Sequence, residues 1–176
     1  AGTPNIPHLV LTKTYDAEEN VVSIKDNFGV GVDSIYDPRG ELSSRLWAGG
    51  GIDDARLDFL YAKSGVLSAV KRFDDLLATI SAGSSSYQHD KNKRISGLVH
   101  SSPSSSALAG YSYEYSPAGE LLKESHHGTS SDYVYDALGQ LVKADYSNQA
   151  DESYTYDAAG NRKGASIVIG TGNRIL

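Results

Sequence analysis

Hydrophobic and polar residues alternate over short stretches of the chain, and turn-forming residues separate these stretches. In "YVYDALGQLVKADY", aromatic residues lie two apart before the word "DALG", and an aliphatic residue follows it. Period-two alternation places side chains on opposite faces of a β-strand. A short turn between two such strands predicts a β-hairpin.

The same word recurs along the whole chain, so the hairpin is a repeating unit. Seven copies align on a head residue, at intervals of about 20–28 residues; the heads are Tyr15, Tyr36, Tyr61, His89, Tyr115, Tyr135 and Tyr156. A unit of this length cannot bury a core of its own, so neighbouring units must stack in series. We expect residues 1–14 to be an N-terminal extension or a partial repeat. Residues 15–176 are then an array of about seven repeats, cut before its next Tyr-Asp word.

Local turn chemistry explains the residues that follow each head. A type I turn favours Asp, Asn or Ser first and Pro second, and a left-handed glycine commonly follows as a bulge. The predicted turn residues are Asp16, Asp37, Asp136, Asp157, Gly40, Gly65, Gly119, Gly139 and Gly160. Glu19 and Lys93 occupy the glycine position in two copies, so we expect those turns to be strained or differently built. The aspartate beside each tyrosine therefore needs no catalytic explanation.

Tyrosine also recurs two residues before the head, which places it on the same face of the strand. These positions hold Tyr113, Tyr133 and Tyr154, and Tyr111 extends one row. Such rows can pack a sheet together, or they can act as stacking platforms for a ligand.

Two segments allow other interpretations. Val66, Val70, Phe73, Leu77 and Ile80 have helical spacing, yet "GVL" at Gly65 also matches the strand start of a repeat. The serine-rich words "SAGSSSY" and "SSPSSSA" are expected to be flexible hairpin ends.

Composition narrows the function classes. The net charge is −6, and basic residues cluster only between Lys91 and Arg94, which argues against a nucleic-acid surface or an anionic membrane. No apolar stretch approaches the roughly 18 residues that insertion into a bilayer needs. The chain has no cysteine, which excludes disulfides and thiolate metal sites.

Candidate chemistry is sparse. His126 and His127 with Asp132 suggest a metal site, but no spacing supplies a third ligand. Asp53-Asp54 and Asp74-Asp75 are paired carboxylates at expected loop ends. His100 lies near serines without a nucleophile elbow. We expect no metal, no cofactor, no catalytic residue and no enzymatic activity.

The words "YDPRGEL", "YSPAGEL", "YDALGQL" and "YDAAGNR" resemble YD repeats, also called Rhs repeats. The resemblance implies an all-β fold of consecutive antiparallel hairpins that form a curved, twisted strip, an arc of a β-spiral or shell. Such shells enclose a toxic polypeptide in bacterial Rhs effectors and in cocoon subunits of insecticidal toxin complexes, and animal teneurins carry a similar shell outside the cell. Carbohydrate binding has also been proposed for these repeats. The resemblance therefore implies a secreted or cell-surface location.

Two functions follow from different uses of the tyrosines. In the first, the chain is scaffold that encloses or displays a polypeptide, and its partners are that polypeptide and flanking repeats. In the second, Tyr111, Tyr113, Tyr133 and Tyr154 bind glycans or support adhesion. Buried phenols would favour scaffold, and a flat exposed row would favour binding. Open sheet edges also predict self-association.

Overall fold

The computed structural model describes residues 8–164, and this part of the chain is all-β. Thirteen strands form one open antiparallel sheet in which each strand pairs with the next along the chain, and two further strands pair with each other. The strands are β1 Leu11–Tyr15, β2 Val21–Asp26, β3 Val30–Tyr36, β4 Leu42–Gly49, β5 Ala55–Tyr61, β6 Leu67–Phe73, β7 Ser81–His89, β8 Ile95–Ser101, β9 Ala107–Tyr115, β10 Leu121–His126, β11 Thr129–Tyr135, β12 Leu141–Tyr146, β13 Glu152–Ser153, β14 Thr155–Tyr156 and β15 Arg162–Lys163. The predicted class of consecutive antiparallel hairpins is confirmed.

The chain forms two compact units. Among the described residues, the first unit comprises 8–88 together with Val99–Leu108, and the second comprises His89–Leu98 together with 109–164. In each unit, the register shifts by a bulge where a strand ends at a head tyrosine, as at Ile35/Tyr36 and Val134/Tyr135. The bulge accommodates the extra turn residue without ending the pairing.

The turns after the head tyrosines share one geometry. The Asp37 amide donates to the Glu41 carbonyl oxygen at 2.8 Å, and the Gly40 amide donates to the Asp37 carbonyl oxygen at 2.9 Å. Asp37 Oδ1 accepts from the amides of Arg39 and Glu41 at 2.8 and 2.9 Å. Gly40 has φ of 75°, in the left-handed region. The carboxylate thus satisfies the turn amides that the short loop leaves without a strand partner.

Glu19 and Lys93 take the same conformation as the glycines, with φ of 65° and 64°. The Glu19 amide donates to the Asp16 carbonyl oxygen at 3.3 Å, and the Lys93 amide donates to that of Asp90 at 3.0 Å. These two turns are therefore built like the others, and the left-handed side chain carries the strain.

The serine-rich segments are ordered, contrary to the expectation of flexible hairpin ends. "SAGSSSY" lies within β7, and its Ser85 is fully buried. "SSPSSSA" ends β8 and closes a turn in which the Ser105 amide donates to the Ser102 carbonyl oxygen at 2.9 Å, with Ser105 at φ 65°. Hydrogen bonds of serine hydroxyls stabilise both segments. Composition alone does not reveal these bonds.

The stretch with helical spacing forms β6 followed by a turn. Asp75 accepts the Thr79 amide at 2.9 Å, and Ala78 has φ of 58°. Val70 lies in β6 and is buried, whereas Leu77 lies in the turn and is 82% exposed. The apolar spacing across this segment is therefore not the stripe of a helix. Within residues 8–164 there is no helix that is long and apolar enough to cross a membrane.

Hydrophobic burial in this sheet is limited. Of the hydrophobic side chains in the described part, only Val70 and Ala144 are buried. Most other apolar side chains on the strands are half-exposed. Hydrogen bonds between strands and at the turns therefore carry an unusual share of the stability.

We predict that Gly139→Ala destabilises the chain by about 1–2 kcal/mol, because Gly139 has φ of 75° and a β-carbon raises the energy of that conformation. Urea unfolding measures the change. Gly110→Ala is the matched control, since Gly110 lies in a strand with open space beside it. Equal urea midpoints for the two variants would show that the turn does not require glycine at position 139.

Candidate functional site

Four head tyrosines each join their repeat to the one before it. The hydroxyl of Tyr36 donates to the Val21 carbonyl oxygen at 3.1 Å, and that of Tyr61 donates to the Leu42 carbonyl oxygen at 3.0 Å. The same bond is made by Tyr115 to Ile95 at 2.9 Å and by Tyr156 to Leu141 at 2.8 Å. Each acceptor is the first residue of the strand that follows the preceding turn. We call this contact the tyrosine staple.

Successive turns also touch each other in each unit. A β-carbon on Gly65 would lie 3.4 Å from Glu41 Oε1, and one on Gly139 would lie 3.4 Å from Glu120 Oε1. Arg94 Nη1 donates to the Ser116 carbonyl oxygen at 3.1 Å. The residue after one turn's left-handed position thus lies against the next turn, so the glycine supplies space as well as its conformation.

Burial and nearby carboxylates act on the phenols of the head tyrosines. Burial raises the pKa of Tyr61, and the charges of Glu41 and Asp37 add to the effect. Burial likewise raises the pKa of Tyr135, with a contribution from Glu120. The Tyr61 phenol therefore stays protonated and remains a donor to the Leu42 carbonyl oxygen.

The turn carboxylates are stabilised in their charged form. The backbone hydrogen bond from Glu41 lowers the pKa of Asp37, although desolvation opposes it. Hydrogen bonds from the side chain of Asn20 and from that of Asn161 lower the pKa values of Asp16 and Asp157. A proton on these carboxylates would remove acceptors that the turn amides use.

The tyrosines two residues before the heads meet glutamates in the second unit. Tyr113 pairs directly with Glu124 across β9 and β10, and the Tyr133 hydroxyl donates to Glu124 Oε1 at 2.9 Å. Tyr146 and Tyr154 both donate to Glu152 Oε2. We call these six residues the tyrosine–glutamate cluster.

The cluster raises the pKa of its phenols. Burial raises the pKa of Tyr113 and of Tyr133, with Glu124 as the next cause in both. The hydrogen bond to Glu152 raises the pKa of Tyr154 to about 12. Sequence reasoning missed Tyr146, Glu124 and Glu152. The register of β10 with β11, across the turn at His127 and Gly128, brings Glu124 to Tyr133, and the pairing of β12 with β13 brings Glu152 to Tyr146.

The histidine pair does not meet its proposed third partner. Tyr111 lies 5.9 Å from His126 and 6.1 Å from His127 between ring centroids. Asp132 instead pairs with Lys123 Nζ at 3.0 Å. No group of three metal-ligating side chains occurs among residues 8–164.

Ser85 and His100 are 15 residues apart in the sequence but contact each other in the structure. Ser85 Oγ lies 2.8 Å from His100 Nδ1 and accepts from Arg72 Nη1 at 2.9 Å. Because Ser85 is fully buried and its oxygen accepts from a guanidinium, it is a structural hydroxyl and not an accessible nucleophile.

The paired carboxylates separate into two roles. Asp75 caps its turn by accepting from the Thr79 amide and hydroxyl. Asp53, Asp54 and Asp74 line an open recess of about 700 Å³ with Ile52.

Comparison with solved structures places this fold among toxin-complex chains. The chain in the TcdB2-TccC3-Cdc42 crystal structure matches with a TM-score of 0.73 and 20% identity over 88% of this chain and 9% of that chain. The Photorhabdus luminescens Tc holotoxin pore matches with a TM-score of 0.70 and 19% identity over 86% of this chain and 8% of that one. The fold resembles a stretch of those toxin chains. At this identity the likeness concerns the fold alone, and it confirms the structural resemblance that the repeat words indicated.

The chain spans less than a tenth of the length of these toxin chains. The TcdB2-TccC3 crystal structure matches to the same extent, with a TM-score of 0.70 and 20% identity. No family model and no curated protein matches the sequence.

We predict that Tyr61→Phe lowers the free energy of unfolding by about 1 kcal/mol, because the Leu42 carbonyl loses its donor. Tyr15→Phe is the matched control, because Tyr15 is a head tyrosine that is 58% exposed. Urea midpoints measure both. A loss with Tyr15→Phe as large as that with Tyr61→Phe would contradict the staple.

We predict that acid weakens the turns through Asp37. Its pKa in the folded chain lies below the ordinary value of 3.8, so its contribution is present above about pH 4 and is lost as pH falls through the folded pKa. Asp37→Asn should therefore lose less stability than wild type between about pH 5 and pH 2. Urea midpoints at both pH values measure this, with Asp53→Asn as a loop-charge control. Parallel pH profiles for wild type and Asp37→Asn would refute the prediction.

Proposed function

We propose that this chain is a structural segment of a larger β-shell protein, which encloses or displays another polypeptide and carries no catalytic step. The tyrosine staple is the observation that carries the proposal. In four repeats, the head tyrosine donates to the preceding repeat's backbone. A residue used in this way serves the assembly of the array.

The fold supports the same role. An open sheet in which each strand pairs with the next along the chain can be extended by further hairpins at either end of the strand order. The match to chains of TcdB2-TccC3 complexes covers most of this chain at TM-scores of 0.70 to 0.73. By this analogy of fold, we propose a secreted toxin-type protein as the parent.

Tyrosine exposure favours scaffold over glycan binding. Tyr111, Tyr113, Tyr133 and Tyr154 are all half-buried, and Tyr133 and Tyr154 donate their hydroxyls to glutamates. A sugar platform needs an open ring face and free polar neighbours. The cluster instead uses its polar groups within the sheet.

The proposed partners are further repeats and an enclosed polypeptide. β1 is first in the strand order, and Leu9, Val10 and Leu11 are each about half exposed. A preceding hairpin would cover these side chains and pair with the backbone of β1. The same open edge would lead the isolated chain to self-associate.

A protease-protection experiment on the full-length parent protein tests the shell role. We expect a polypeptide of that protein to resist digestion in wild type and to be digested after Tyr61→Phe is combined with Gly65→Val. Gly65 has φ of 79° and lies against Glu41, so valine there disrupts the stacking of turns. Tyr15→Phe with Gly110→Ala is the matched control and should retain protection.

Two results would contradict the proposal. One is the absence of any protected polypeptide in the folded wild-type protein. The other is saturable binding to one glycan class that Tyr113→Ala abolishes without unfolding, which would favour the binding function instead.

A further inference from the structure

A pocket on the first unit combines an apolar floor with one cation. It has a volume of about 440 Å³ and is lined by Val21, Ile24, Val32, Ser34, Arg45 and Trp47. This volume lies within the range of small-ligand sites. Because the pocket is built on β2, β3 and β4, paired strands hold its walls in place.

Strand register explains why these side chains meet. Ile24 lies opposite Val32, and Val32 lies opposite Trp47, so the three form one row on one face of the sheet. Ser34 lies opposite Arg45 in the next row. Directly opposite residues point to the same face, which places the guanidinium beside the indole.

Among residues 8–164, the guanidinium of Arg45 has no hydrogen-bond or ion-pair partner. Its side chain makes no hydrogen bond or ion pair with any residue between 8 and 164, and its Nε is shielded from solvent. The nearby Tyr36 hydroxyl already donates to the Val21 carbonyl oxygen. A half-buried cation that lacks an acceptor favours an incoming anion.

The charges on the surrounding face of the sheet also favour an anionic ligand. The row through Trp47 begins at Lys13, which lies opposite Ile24, and the row through Arg45 continues to Leu57 and Arg72. These two rows hold three cations and no carboxylate, although the whole chain has a net charge of −6. The pocket is therefore a locally cationic, partly aromatic surface.

We propose that this pocket binds an acidic peptide segment, with a glutamate or aspartate carboxylate on Arg45 and a neighbouring apolar side chain against Trp47 and the aliphatic floor. The carboxylate accepts hydrogen bonds from the guanidinium, and the apolar group is removed from water. Neither interaction requires the shell function, so the site can be tested apart from it.

Trp47 is the chain's one tryptophan, so its fluorescence reports on the pocket directly. The probe is acetyl-Leu-Glu-Leu-amide, titrated into the folded chain, with calorimetry in parallel. We expect saturable binding that weakens with salt, because a charge contact is screened. The neutral isostere acetyl-Leu-Gln-Leu-amide should bind about tenfold more weakly or worse.

Substitutions of Arg45 test whether its guanidinium contacts the peptide carboxylate. Arg45→Met should weaken binding of the glutamate peptide by about tenfold or more, and Arg45→Lys should retain most of it. Arg72→Met is the matched control on the same face, because Arg72 already donates to Ser85 and lies outside the pocket. Because its charge lies outside the pocket and acts only at longer range, its loss should weaken binding much less than Arg45→Met does. Circular dichroism checks that each variant is folded.

Three results would overturn the proposal. One is no saturable response of the folded wild-type chain to the glutamate peptide in fluorescence or heat, and another is equally tight binding of the glutamine peptide. Binding that is unchanged in a folded Arg45→Met variant would also exclude the assigned contact. If Arg45→Met does not fold, the comparison of the two peptides on wild type decides the outcome.

Discussion

A phenol in one repeat that donates to the backbone of the repeat before it is the contact on which this structure depends. The sheet buries few apolar side chains, with only Val70 and Ala144 buried among the hydrophobic residues described. A single hairpin of this length cannot be stable alone. The staple from Tyr36 to Val21, and its equivalents, therefore make the pair of repeats the unit of stability.

The turn beside each staple serves the same purpose. Asp37 holds its own turn amides, and Gly65 leaves room for Glu41 of the preceding turn. The residues that shape a turn and the residues that contact the neighbouring repeat are therefore close together in the sequence of each repeat. This arrangement suits a wall that is extended by adding repeats, and it leaves pocket positions such as Arg45 and Trp47 free to differ from the repeat pattern.

The fold class could be predicted from the sequence because its signals are local. Alternation over a few residues and a word such as "DALG" specify a hairpin without knowledge of distant residues. The staple acceptors could not be predicted, because Tyr61 reaches Leu42 only once the register between repeats is known. The same holds for Glu124 and Tyr133. "SAGSSSY" was wrongly expected to be flexible, because composition does not show that Ser85 has partners in Arg72 and His100.

Native-state hydrogen exchange on Tyr61→Phe tests the central claim most directly. If the staple stabilises adjacent repeats, amides in β3 to β6 will lose protection while amides in β11 and β12 keep theirs. The exposed equivalent, Tyr15→Phe, should leave β3 to β6 unchanged. A uniform loss across the chain, or no loss beside Tyr61, would show that the tyrosine hydroxyl does not join one repeat to the next.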